Sequence, residues 1–168
     1  MEQTMIGAAG TQEFDEKMML LALKLAKKSE NIGEVPIGAI ITDKNGMILA
    51  KTTNLREGKC TVLGHAELVA IHRANQKLQS WRLNECTLYV TLEPCFMCAA
   101  ALVQSRISRV VFAAHDPKGG ALGSLENFSA DSRFNHQFKV DSGLMAEQAS
   151  ELLKKFFKKK RQLKKIKP

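Results

Sequence analysis

The sequence predicts an α/β domain layered around a mixed sheet, and three observations predict it. Two runs suited to strands, Val35 to Thr42 and Met47 to Lys51, flank Asp43-Lys44-Asn45-Gly46, whose Asn-Gly pair is a strong hairpin signal. After that hairpin, helical and strand patterns alternate, the order that builds a sheet covered by helices. Finally, 168 residues with 45 % hydrophobic content suit one domain that buries roughly two-thirds of its unfolded surface without staples.

Residues 1–11 read as a flexible leader, 12–162 as the folded domain and 163–168 as a basic tail. From Glu13 to about Lys28, Phe14, Met18, Leu21, Ala22, Leu25 and Ala26 recur at helical spacing. The hairpin follows, and a polar connection, Thr52 to Gly64, leads into a helix from about His65 to Leu78. Thr87 to Thr91 is a compact third strand, and Pro94 to about Ser105 a helix with proline near its first turn. Arg109 to Ala114 is the fourth strand. Asp116 to Gln137 is a long stretch rich in Gly, Ser and Asn, of the kind that is often functional. Phe138 to Val140 suits a fifth strand. A last helix from near Met145 carries Ala149, Leu152, Leu153, Phe156 and Phe157 as its apolar stripe, with lysines opposite.

The net charge of +8 is concentrated. Nine of the 25 basic residues lie between Lys154 and Pro168, with no acid among them, leaving 16 against 17 acidic residues in the rest. Such a segment suits a polyanion, and also a merely solvated terminus. No apolar run approaches the ~20 residues of a membrane helix. The first ten residues lack the basic and apolar runs of a signal peptide. The expectation is a soluble, cytoplasmic chain with no membrane partner.

Two short motifs carry the chemistry: His65-Ala66-Glu67, and Pro94-Cys95-Phe96-Met97-Cys98 about thirty residues later. In a chain with no export signal, Cys-x-x-Cys reads first as a metal or redox pair. Cys95 and Cys98 share one side of a helical turn, and a helix N-terminus favours thiolate, the metal-binding form. His65 adds an imidazole, making a one-nitrogen, two-sulfur set that suits Zn2+. Three protein ligands leave a fourth position for water, as in catalytic sites. A structural site closed by Cys60 or Cys86 is the alternative. Glu67 argues for catalysis, since a carboxylate there reaches the bound water. Zinc lowers the pKa of that water to about 7. The expectation is hydrolytic removal of an exocyclic amino group from a base by zinc-bound hydroxide, while Glu67 shuttles protons to a ring nitrogen and the departing amine. His-x-Glu with Pro-Cys-x-x-Cys is a known zinc-deaminase signature. His72, within a helix, reads as structural, and Glu93 and Arg106 read as charge-pairing or helix-capping residues.

From Phe14 to Gln162 the chain resembles the bacterial tRNA-specific adenosine deaminases of the cytidine-deaminase-like superfamily. The likeness rests on Glu34-Val35-Pro36-Ile37-Gly38-Ala39, Asn54, His65-Ala66-Glu67 and Leu88-Tyr89-Val90-Thr91-Leu92-Glu93-Pro94-Cys95-Phe96-Met97-Cys98. It continues in Ser105-Arg106-Ile107, Arg109-Val110-Val111-Phe112, Asp116-Pro117-Lys118-Gly119-Gly120-Ala121, Gly123-Ser124 and Phe156-Phe157 with its basic run. Ala100 and Ala113 depart from this pattern, standing where glycine is expected, and His115 stands where arginine is common.

The resemblance implies a three-layer α/β/α fold with a mixed five-stranded sheet, one zinc ion per chain, and a homodimer with its sites near the subunit interface. It implies hydrolytic deamination of adenosine to inosine at the wobble position of an arginine tRNA anticodon, with zinc-bound hydroxide attacking C6 of the purine. Glu67 would be catalytic, and His65, Cys95 and Cys98 the metal ligands. Substrate would be held by Asn54 on the base, Val35, Pro36 and Ala66 around it, Asp116 and Lys118 on the flanking nucleotides, and Phe157 and Arg161 on the strand. The rival readings are a deaminase of free cytosine, cytidine or guanine, which needs no cationic tail, and a non-catalytic zinc-stabilised RNA-binding module, which needs no Glu67.

Overall fold

The computed structural model describes residues 8–166, with side chains through Leu163. Residues 1–7 of the leader and 167–168 of the basic tail lie outside those limits. Helix α1 (Gln12–Glu30) opens on Thr11, whose hydroxyl oxygen accepts from the Phe14 N–H at 3.3 Å. Glu13 and Asp15 in its first turn and Lys27 and Lys28 in its last complement the helix dipole. Phe14, Met18, Met19, Ala22, Leu23 and Ala26 form its buried stripe, the larger of them worth about 1.5–3 kcal/mol each.

Strands β1 (Gly38–Thr42) and β2 (Ile48–Thr53) form the expected hairpin. Asp43 fastens the turn by accepting from the Asn45 and Met47 N–H groups at 2.9 and 2.8 Å. β1 starts three residues later than the sequence suggests. Pro36 has no N–H to give a ladder, and the Ile37 N–H turns back to the Val35 carbonyl at 2.8 Å. Gly38 is the first residue to pair, and it passes so close to α1 that a Cβ there would lie 2.1 Å from the Ala22 carbonyl oxygen.

Helix α2 (Ala66–Leu78), strand β3 (Thr87–Leu92), helix α3 (Phe96–Gln104) and strand β4 (Arg109–Ala114) follow, then β5 (Lys139–Ser142) and α4 (Ala146–Ile166). The sheet order is β2-β1-β3-β4-β5, with β1 antiparallel to β2 and β3, and β3, β4 and β5 mutually parallel. This is the expected mixed five-stranded sheet. Alternation along the strands divides the core. Ile40, Tyr89 and Val111 face α1 and α4, while Ala39, Ile41, Leu88, Val90, Val110 and Phe112 face α2 and α3. The edge strand β5 is short and carries Lys139 and Asp141, which blunts unwanted pairing.

The long connection from β4 to β5 holds only isolated bridges, Cys95 with Gly120 and Leu122 with Asn127. Aromatic edges order its middle: Phe128 lies 5.6 Å from Phe96 and 5.2 Å from Phe134, ring centre to ring centre. Among the described residues, no helix is long and apolar enough to cross a membrane.

Candidate metal centre and base pocket

Helices α2 and α3 begin with the proposed ligands. His65 is the cap residue of α2, and Cys95 that of α3, each with extended backbone. Pro94 precedes the cap instead of occupying the first turn, so β3 passes through Glu93 and Pro94 directly into the site. Cys98, one turn on, is fully buried. The Nδ1 atom of His65 lies 3.6 Å from the Cys95 sulfur and 3.5 Å from that of Cys98. A tetrahedral ion with ordinary zinc–nitrogen and zinc–sulfur bonds would hold such pairs about 3.5 Å apart. The donor set therefore fits zinc.

Among the described residues, this is the one cluster of His, Cys, Asp and Glu with ligand atoms all within 4.8 Å of one another. Cys60 is exposed and its sulfur contacts the Glu57 carbonyl, while buried Cys86 contacts that of Asn84. Neither joins the group, which removes the closed four-ligand alternative. His72 is exposed on α2 and is also outside it.

The two thiols differ in charge. The Cys95 thiol is brought down to about 4, chiefly by the Cys98 S–H, against burial, with further help from His65 and the Cys98 backbone N–H. Cys98 is pushed far up, by its hydrogen bond to Cys95, by burial and by nearby Glu67. Two sulfurs in contact share one proton, which a cation displaces on binding. The bond to Cys95 also raises the His65 imidazole, against burial.

Glu67, in the first turn of α2, is 3 % exposed and its Oε2 has no hydrogen-bond partner. Burial pushes its carboxyl up to about 7, opposed by a backbone N–H and by His65. A carboxyl poised there can take a proton and return it. Asn54, at the end of β2, is equally buried with Oδ1 unpartnered, and its own N–H is tied to the Ile37 carbonyl at 3.2 Å. That bond brings Asn54 beside the turn formed by half-buried Val35 and buried Pro36. Ala66 is fully buried, and its carbonyl accepts from the Thr52 hydroxyl at 2.8 Å, tying α2 to β2. Buried polar atoms are nearly always paired, and among the described residues three side-chain oxygens are not: Glu67 Oε2, Asn54 Oδ1 and Glu34 Oε2. Those of Glu67, beside the ligand trio, and Asn54 are open to a ligand.

The other expected contacts are half-buried or exposed. Asp116 is half-buried and accepts from the Lys118 N–H at 3.0 Å, with Lys118 itself exposed. On α4, Phe156 is buried at 7 % exposure whereas Phe157 is 42 % exposed. Only one of the pair is core. Arg161 is exposed, and the neighbouring Lys160 reaches Glu57 at 3.7 Å, joining α4 to the loop that leads into His65. Ala100 is exposed, so its methyl group crowds nothing, and Ala113 packs against the α1 side of the sheet.

Sequence reasoning treated Glu93 and Arg106 as charge-pairing or capping residues. Arg106 donates to the Asn135 carbonyl at 2.9 Å. Glu93 has a larger part, described below. Glu34 was missed altogether as an individual residue. It is 1 % exposed, and its Oε1 accepts from the Gly58 N–H at 2.8 Å, pinning the loop between Asn54 and His65. An acid directly before Val35-Pro36 was the available signal.

The family profile of MafB19-like deaminases matches residues 13–161. A tRNA-specific adenosine deaminase of Haemophilus influenzae is 47 % identical over 154 residues, covering 92 % of this chain and 89 % of that one. The Bacillus subtilis tRNA-specific adenosine deaminase is 50 % identical over 151 residues, covering 90 % and 93 %. A solved structure from studies of A-to-I editing by tRNA:A34 deaminases is 40 % identical with a TM-score of 0.78, covering 82 % of this chain and 99 % of that one. Agreement of this extent, along nearly the whole of both chains, means that the chain belongs to the tRNA-specific adenosine deaminases.

Proposed function

We propose that this protein hydrolyses the wobble adenosine of a tRNA anticodon, that of an arginine tRNA, to inosine, with one zinc ion per chain. The observation that carries the reading is the pairing of an incomplete ligand trio with a buried carboxylate, Glu67, that has one oxygen free. When bound, zinc would supply a water of lowered pKa. His65, Cys95 and Cys98 would hold it, and the Cys98 proton would leave on binding. Glu67 takes one proton of the attacking water and passes it to a ring nitrogen of adenine, then takes the second from the new C6 hydroxyl and gives it to the amine as the C6–N6 bond breaks. Water is consumed and ammonia released.

Asn54 orients the base through its free Oδ1, with Val35, Pro36 and Ala66 around the ring. An anticodon loop suits this pocket because its bases are already unpaired. Asp116 and Lys118 hold the flanking nucleotides, and Phe157 and Arg161 hold the strand, by stacking and by charge respectively. The nine basic residues from Lys154 onward add phosphate attraction. A homodimer fits the exposure of Val62, Leu63 and Phe96, apolar residues adjoining His65 and Cys95 in the chain. A cytoplasmic location follows from a tRNA substrate.

The test is incubation with tRNA bearing an unmodified wobble adenosine, read by sequencing for inosine. Conversion confined to the wobble position is expected. Turnover of free cytosine, cytidine or guanine with no inosine in the tRNA would replace this reading with that of a small-molecule deaminase.

A further inference from the structure

Glu93 stands between the last residue of β3 and Pro94-Cys95, and its side chain is fully buried. Its Oε1 accepts from the Leu122 and Ser124 N–H groups at 3.0 Å each. Its Oε2 accepts from the Asp116 N–H at 3.0 Å and from the Ser124 hydroxyl, and faces His115 Nδ1 at 3.3 Å. Residues 115–124 thus curl around a single anion. Gly120 lies against it so closely that a Cβ there would meet the carboxylate at 2.3–2.5 Å. The adjoining Pro94 carbonyl accepts from the Ala121 N–H at 2.9 Å, a second tie between the same two segments.

This clasp has ends of different kinds. One is rigid, since Glu93 is anchored through its own N–H to the Ala114 carbonyl at 2.8 Å and leads within two residues to Cys95. The other is a loop without regular structure that carries Asp116 and Lys118. We propose that Glu93 is a positioning residue for RNA, fixing Asp116 and Lys118 at a set distance from the metal-ligating start of α3. A carboxylate is required because every donor points at an acceptor. Glutamine would turn an amide N–H2 toward one set of donors and lose that side of the clasp. The inference rests on the RNA-binding role given above to Asp116 and Lys118.

The experiment compares Glu93→Gln, Asp116→Ala and the double variant. Binding of a fluorescent anticodon stem-loop, inosine formation and zinc content are measured on each. Glu93→Gln is expected to keep its zinc, raise KM and the RNA Kd about tenfold, and change kcat by less than about twofold. In that background Asp116→Ala should add little, because the loop that presents Asp116 is already displaced. Loss of zinc, a fall in kcat at unchanged KM, or fully additive effects would overturn the proposal. Should Glu93→Gln fail to fold, Ser124→Ala decides, since it removes one donor from the loop side. A smaller rise in KM at constant kcat supports the clasp, and an unchanged KM refutes it. If the wild-type chain makes no inosine but binds the stem-loop, the functional reading fails while the binding arm still tests Glu93.

Discussion

Asp15 and Glu67 are buried acids on opposite faces of one sheet, and their surroundings are opposites too. Asp15 on α1 is met by Arg109 at both oxygens, at 2.9 and 2.6 Å, and by the Tyr89 hydroxyl at 2.6 Å. Arg109 also reaches Asp141 on β5 at 2.7 Å, so four elements share the network. Its guanidinium is held further toward the charged state, first by the bond to Asp15, and the Tyr89 hydroxyl is pushed up, first by burial. Glu67 on α2 has no such company, and its Oε2 is unmatched by any donor. Both carboxylates cost desolvation. One is repaid within the fold; the other stays available to a ligand. A free oxygen beside the His65 and Cys98 side chains, not burial or a missing partner as such, sets Glu67 apart, since buried Glu34 also keeps Oε2 unpartnered.

Substitution should separate these roles. The largest effect is expected for Glu67→Gln, which keeps the shape but cannot carry a proton. Single-turnover inosine formation should fall about 10³-fold while metal content and melting temperature hold. Asp15→Ala is its mirror image. Leaving Arg109 with a partly unmatched charge should cost about 3 kcal/mol in urea unfolding, with kcat of the folded fraction unaltered. Retained stability in Asp15→Ala, or retained turnover in Glu67→Gln, would break the contrast.

Asn54→Ala sharpens it within the pocket. Because Oδ1 has no partner in the fold, stability should be unchanged or slightly higher, while kcat/KM falls about 10²-fold through loss of base orientation. A loss of stability matching the loss of activity would make Asn54 structural instead. The smallest effect expected is that of salt. Raising it from ~50 to ~200 mM should weaken stem-loop binding at least about tenfold through phosphate contacts, and leave the unfolding midpoint little changed.

Much of the site was legible because its chemistry is local. Cys95 and Cys98 are one helical turn apart, and Glu67 is two residues beyond His65, so spacing alone groups them into a ligand pair and a ligand with its neighbouring acid. The hairpin was legible for the same reason, since Asp43 to Gly46 make their own turn. The start of β1 was not. Whether Val35 pairs depends on Pro36 and on the approach of α1 to Gly38, neither of which a β-branched run discloses. Glu93 was taken for an ordinary charge because its donors lie 22 to 31 positions further along the chain. Asp15 and Arg109 are separated by 94 positions. No periodicity connects residues so far apart.

The amino-acid sequence by itself determined which atoms can bind a soft divalent ion, which carboxylate stands beside them, and the order of helices and strands. These follow from residue type, hydrophobic period and capping, all of short range. Only the tertiary structure decided that His65 meets two sulfurs from another helix, that Cys60 and Cys86 stay away, and that the oxygens of Asn54 and Glu67 remain free while those of Asp15 and Glu93 are taken. A buried polar atom's partner is chosen by whichever chain segment packs against it, and that choice exists only once the sheet has brought distant segments together.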